Sequence, residues 1–257
     1  MNLDERPIHI IYYICINPNK EWNKIVDFQL TEMYNSGILD SAVLHIEVCC
    51  ELEDNIKVVE DFINAYFNEK KNCEYFFNLG TENNYEYQGI NKLYKQALTA
   101  PEKVFIYFHS KGMFFNGFTN YNGRVINTNN VVSFENRLLT KYTFNKWKDI
   151  LIMFQEEDNE LNKVALFPAT NGHCWFNFFW ASGKYLNTCE KPIIYKKTEE
   201  NDSHNIWPKG RFYYEMWLGS GDNSNGYVYN LLEDSYRNIT HQEAIDSMFH
   251  FILKTEM

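Results

Sequence analysis

Apolar residues fall in two rhythms along the first half of the chain. "IHIIYYICI" (Ile8 to Ile16), "SAVLHIEVCC" (Ser41 to Cys50), "CEYFFNLG" (Cys73 to Gly80) and "VFIYF" (Val104 to Phe108) are short runs dense in β-branched and aromatic residues. Asn17-Pro18, Gly80 and the His109 to Gly112 turn close three of them, the mark of strands buried on both faces. Between the runs the period lengthens to that of a helix. Trp22, Val26, Leu30, Met33 and Tyr34 share one face, Ile56, Val59, Ile63, Tyr66 and Phe67 another, and Ile90, Leu93, Tyr94, Ala97 and Leu98 a third, followed by Pro101. Gly37 suits the end of the first helix. The order βαβαβαβ predicts an α/β fold: a mostly parallel sheet with right-handed crossovers and flanking helices.

The second half is less regular. "MFFNGFTNYNGRVINTNN" has no period and reads as a long excursion over the C-terminal edge of the sheet. A helix resumes through Leu138, Leu139, Tyr142, Trp147, Ile150, Leu151 and Phe154, and "KVALFPA" reads as a short strand. "KKTEENDSHNIWPKG" is linker-like, but the "RFYYEMWLG" that follows is too short to form a core alone. The expectation is therefore one domain over residues 1–257.

Charge narrows the function classes. With 24 Lys and Arg against 34 Asp and Glu, the net charge is -10, which argues against a general nucleic-acid grip. The first residues carry two acids and one base ahead of a short apolar run, and no 18-residue apolar span occurs, so a cytoplasmic protein without a membrane span is expected. Six cysteines without CxxC spacing read as buried thiols rather than a zinc site.

The candidate chemistry starts where the run Val104 to Phe108 drives into His109-Ser110-Lys111-Gly112. Polar residues and Gly at the C-terminal end of a parallel strand mark the edge where α/β sheets bind ligands. "YFHSKG", "GHCWFNFFWASGKYL" and "YYEMWLG" together resemble the GT-A-type glycosyltransferase family met in giant viruses and in bacterial surface-polysaccharide gene clusters. The resemblance covers roughly residues 8–220. It implies a Rossmann-like GT-A fold with a nucleotide-sugar-binding half (1–112) and an acceptor-binding, catalytic half (113–257). The implied partners are a nucleotide-diphosphate sugar and a glycan acceptor, in a cell that is the host's if the chain is viral. The wider GT-A pattern also implies Mn²⁺ or Mg²⁺. Here no Asp-x-Asp follows a buried strand, and His109 to Gly112 stand where that pair is expected.

Within that frame His109, Ser110, Lys111 and Gly112 are candidates for the donor diphosphate, Lys111 as a compact point charge aided by backbone N–H groups. Glu86 and Tyr87, just ahead of the third helix, are candidates for the nucleoside, although an acid at a helix start is also ordinary dipole compensation. Asn177 and Trp180 are acceptor candidates, because aromatic platforms beside an amide suit a saccharide. Glu215, flanked by Tyr213, Tyr214, Met216 and Trp217, is the candidate general base of an inverting transfer, against the simpler reading of a pair with Arg211 or Lys209. Asp222, Glu135 and His173 stand behind it. The competing classes are a non-catalytic nucleotide- or carbohydrate-binding module and a sugar nucleotidyltransferase, the latter disfavoured because no Gly-rich phosphate loop follows the first strand.

Overall fold

The computed structural model describes residues 6–17, 21–68, 70, 73, 75–110, 118–121, 124–127, 134–156, 160–195 and 210–255. The chain runs β1 (Ile8–Ile16), α1 (Trp22–Asn35), β2 (Ala42–Cys50), α2 (Ile56–Asn68), β3 (Tyr75–Gly80), α3 (Tyr87–Thr99) and β4 (Val104–His109). It continues through β5 (Phe118–Tyr121), β6 (Arg124–Asn127), α4 (Phe134–Asn145), α5 (Trp147–Gln155), β7 (Lys163–Ala165) and β8 (Phe179–Ser182). The last elements are α6 (Gly183–Leu186), α7 (Arg211–Met216), β9 (Val228–Asn230) and α8 (His241–Thr255).

Seven strands form one sheet in the order β3-β2-β1-β4-β8-β7-β9. β1 pairs in parallel with both β2 and β4, and β2 with β3. β8 is antiparallel to both its neighbours, while β7 and β9 pair in parallel. The fold is thus α/β with a mostly parallel, mixed sheet flanked by helices, as the alternation of rhythms predicts.

Alternate residues of β1 divide the core in two. Ile8, Ile10, Tyr12 and Ile14 pack with α1, α2, Phe144 and Trp147 on one face, and Ile11 and Tyr13 pack with Phe105, Tyr107, α3, Tyr185 and Tyr214 on the other. α3 lies close to the sheet because Gly89 sits in its first turn. A Cβ at that position would fall 2.8 Å from Tyr13 Cβ and 3.0 Å from the Tyr107 ring. The connections β1 to β2 to β3 progress outward on one side of β1, and the next strand, β4, returns to its other side. That reversal is a topological switch point at the carboxyl ends of β1 and β4, the place where open α/β sheets hold ligands.

Several local expectations are corrected. The stretch read as a structureless excursion carries β5 and β6, which pair with Tyr121 opposite Arg124. The helix expected from Leu138 to Phe154 is two helices, interrupted at Lys146, whose φ of -107° and ψ of 25° leave the helical region. The strand read in "KVALFPA" is confined to Lys163–Ala165. Part of the aromatic stretch is β8, and α8 was not anticipated. Lys163 is fully buried, and its ammonium donates to Gly172 O, Ser224 O and Tyr185 Oη, stitching two loops to β7. Burial lowers its pKa to about 8.

Candidate functional site

The carboxyl ends of β1 and β4 are fixed by the backbone first. Ser110 N–H donates to Tyr13 O at 3.0 Å, and Cys15 N–H donates to Ser110 Oγ at 3.2 Å, so the turn after β4 is locked to the end of β1. From the opposite face the buried Gln29 of α1 donates to His109 O at 3.0 Å and to Thr140 Oγ1 at 3.3 Å, while its Oε1 accepts from Tyr12 at 2.6 Å. A buried amide with every polar atom engaged fixes the carboxyl end of β4 firmly.

At the centre of the site is Glu86. It stands at the N-cap of α3 but does not cap that helix; its carboxylate turns toward the sheet instead. Oε2 accepts from Tyr107 Oη at 3.0 Å and from Asn177 Nδ2 at 2.7 Å, and Oε1 lies 3.8 Å from His109 Nε2. The helix N-terminus adds a favourable field for the anion. Tyr13 Oη donates to Tyr85 O, fixing the residue before it. Tyr85 holds a positive φ of 55°.

His109 and Asn177 meet Glu86 through a distorted turn. Phe176 and Asn177 are consecutive left-handed residues, with φ of 69° and 55°. Asn tolerates this region, but an aromatic residue does so at a cost of order 1–3 kcal/mol. The turn points Phe176 O at His109 Nε2, 3.1 Å away. A carbonyl only accepts, so Nε2 carries the proton. Asn177 Nδ2 also donates to Tyr214 O at 3.1 Å. Both its partners are acceptors, which fixes the orientation of the amide. Its Oδ1, in a side chain 1% exposed, has no hydrogen-bond partner among the described residues. A buried acceptor held without a donor is a polar group waiting for one.

The structure therefore brings together Glu86, His109, Ser110 and Asn177 from three separated segments. Glu86 has two donors on Oε2, so that oxygen organises the site. Tyr87 flanks it, its ring edge-on to Tyr214 at 6.4 Å. Lys111 and Gly112 lie outside the described residues. Trp180 does not join the site. It is fully buried in β8, its indole N–H donates to Thr143 O at 2.9 Å, and no ring face remains for a sugar.

Glu215 lies on α7, next to the Tyr214 whose carbonyl Asn177 holds. Its Oε1 is 3.3 Å from Arg211 Nε, one turn away, with the two side chains 30% and 57% exposed. The carboxylate is thus partly desolvated, and its partner Arg211 is largely exposed. Among the other base candidates, His173 is buried edge-on to Trp175 with its pKa lowered by burial to about 4, and the side chain of Glu135 lies outside the described residues. Asp222 lines a cavity of about 570 Å³ with Lys103, Lys184 and Tyr185. Val104 and Ser182 also line that cavity, which places it at the amino end of β4, opposite His109.

Tyr107, Tyr13 and Gln29 were missed as contributors. Gln29 left a signal, being a polar residue on the apolar face of α1; the two tyrosines left none, because they read as ordinary strand aromatics. Among the described residues no group of three or more His, Cys, Asp or Glu side chains is placed to hold a metal ion. Within the described residues Glu86 Oε2 and His109 Nε2 are engaged in internal hydrogen bonds. No helix among the described residues is long and apolar enough to cross a membrane. A scan against protein-family models finds no match, and a search of curated proteins finds no significant relative.

Proposed function

We propose that this chain is a glycosyltransferase that moves a sugar from a nucleotide-diphosphate donor to a hydroxyl of a glycan acceptor with inversion. The observation that carries the reading is the convergence of Glu86, His109 and Asn177 at the switch point of the sheet, with Asn177 Oδ1 buried and unpaired. The resemblance of the three motifs to GT-A enzymes supplies the reaction class. The site supports it by offering an acceptor atom for a ligand hydroxyl or amide at the end of a buried strand.

In this scheme the turn at Ser110 and the ammonium of Lys111 receive the diphosphate. The acceptor oxygen attacks the anomeric carbon as the bond from that carbon to the phosphate oxygen breaks, and the acceptor's proton passes to Glu215. Glu86 holds His109 and Asn177 in place and touches no reacting atom.

A second reading, a binding module without transfer, is favoured by one observation: the Glu215 carboxylate is already paired with Arg211. A thermal-shift screen of UDP-, GDP-, dTDP- and CMP-sugars, each with Mn²⁺ and with EDTA, tests the common ground. A ligand at 100 times its Kd adds about 2.7 kcal/mol, or roughly 5 °C for a chain of this size. No shift with any of them would refute both readings. A shift without sugar transfer to any hydroxyl acceptor or to water would leave the module.

A further inference from the structure

Beneath the Glu86 cluster, two cysteines are placed opposite one another. In the parallel ladder of β1 and β2, Cys15 is the Cα partner of Cys49. Paired residues of a parallel ladder project from the same face, and neighbouring strands run about 4.8 Å apart. That spacing falls within the roughly 4.4–6.8 Å between Cα atoms that a disulfide spans. The Cys49 thiol lies within hydrogen-bonding reach of the Cys15 thiol and of the Tyr13 hydroxyl. It also lies 3.6 Å from Glu82 O. Cys15 is partly exposed and Cys49 is buried, and all six cysteines of the chain stand as thiols. Cys50, the next residue of β2, packs in the core on the other face, against different neighbours.

We propose that Cys15 and Cys49 form a reversible cross-strand disulfide that ties β1 to β2 and releases the segment Glu82–Glu86 from its thiol anchor. Two features argue for a switch rather than a permanent staple. The Cβ vectors of a parallel pair run side by side instead of converging, so closure pulls the strands out of their ladder spacing, and a strained bond is more easily reduced. The reach of the pair is also selective: an oxidant meets Cys15 first, and Cys49 is the resolving group behind it.

The chemistry balances with a small-molecule disulfide as oxidant. Cys15 Sγ attacks oxidised glutathione, giving a mixed disulfide and one reduced glutathione. Cys49 Sγ then attacks Cys15 Sγ, its proton leaving with the second glutathione. Two thiols are oxidised and one disulfide is reduced. The structural consequence follows from the contacts: Cys49 loses the one S–H it donates to Glu82 O, so the segment leading to Glu86 loses that anchor. The inference does not depend on sugar transfer.

The test incubates the full chain with oxidised glutathione and maps disulfides by peptide mass spectrometry, with hydrogen exchange followed in parallel. The expected result is a Cys15–Cys49 cross-link, reversed by dithiothreitol, with faster exchange in residues 82–86 only in the oxidised form. Cys49→Ser should stop at the glutathione adduct on Cys15, and Cys15→Ser should take up neither at this site. A wild-type chain that accumulates the Cys15 adduct without resolving it, or that remains unmodified at both residues, would overturn the proposal. A cross-link that leaves exchange in 82–86 unchanged would overturn the coupling to Glu86.

Discussion

Replacing Asn177 by Ala separates a residue that holds the fold from one that holds a ligand. Two hydrogen bonds are lost. The one to the Glu86 carboxylate, at 2.7 Å, is charge-assisted and contributes about 2 kcal/mol, and the one to Tyr214 O at 3.1 Å about 1 to 2 kcal/mol. Against this, the substitution also deletes Oδ1, a buried acceptor that has no partner and costs about 1–3 kcal/mol to keep in the unliganded chain. The net loss of stability is then only about 0–3 kcal/mol, below what two buried hydrogen bonds alone suggest. Urea unfolding at neutral pH measures it. The ligand side is opposite in sign: whichever sugar nucleotide raises the melting temperature of the wild type should lose most of that effect in Asn177→Ala, because the acceptor atom it would satisfy is gone. A loss of 4 kcal/mol or more combined with an undiminished ligand shift would refute the reasoning, and Asn177 would then be a structural amide alone.

Three further outcomes follow from the same contacts. His9 Nδ1 and His45 Nε2 lie 3.1 Å apart in a stack with Phe105 and Phe76, and burial, aided by Lys92 and Lys103, lowers their pKa values to about 4 and about 3. The unfolded chain therefore binds protons below pH 6.5 that the folded chain refuses, so stability falls as pH drops from 6.5 toward 4, by up to about 1.4 kcal/mol per pH unit for each ring; urea unfolding at pH 7 and pH 5 should show it, and His45→Phe should flatten the slope. Gly89→Ala gains about 1 kcal/mol of helix propensity but drives a methyl into Tyr13 and Tyr107, so a net destabilisation of about 1–2 kcal/mol is expected, and a stabilised variant would show that α3 can lift off the sheet freely. Glu215→Gln breaks an exposed ion pair worth less than about 1 kcal/mol, so circular dichroism should find it folded while single-turnover sugar transfer drops by about 10²- to 10⁴-fold; near wild-type transfer would remove Glu215 as the base.

The parallel half of the sheet was legible because β1, β2 and β4 are buried on both faces and its helices on one, so that the two periods separate cleanly in the sequence. Ile8–Ile16 and Val104–His109 could be placed for that reason. The second half failed where tertiary contacts override local pattern. β8 reads as an aromatic cluster because Phe179 and Trp180 face opposite layers of the core and both are buried, which erases the alternation that marks a half-exposed strand. β7 and β9, three residues each, are shorter than any period can reveal.

The site divides along a similar line. His109 and Ser110 could be found because a polar turn ending a buried strand is a local contradiction, visible in six residues. Glu86 was visible, but its setting was not: an acid at a helix start has a local explanation in the helix dipole, and only Tyr107 and Asn177, 21 and 91 residues away, show that the carboxylate faces inward. The Phe176-Asn177 turn was invisible. Local preference puts glycine or asparagine in the left-handed region, and Phe176 adopts it against that preference. What offsets its strain is entirely long-range: His109, Glu86 and Tyr214, at separations of 67, 91 and 37 residues, each take or give a hydrogen bond only when the turn is in that conformation. A conformation that costs locally and is held by three distant partners is the kind of strain a binding site retains, and the unpaired Asn177 Oδ1 at its tip is the atom such a site would present.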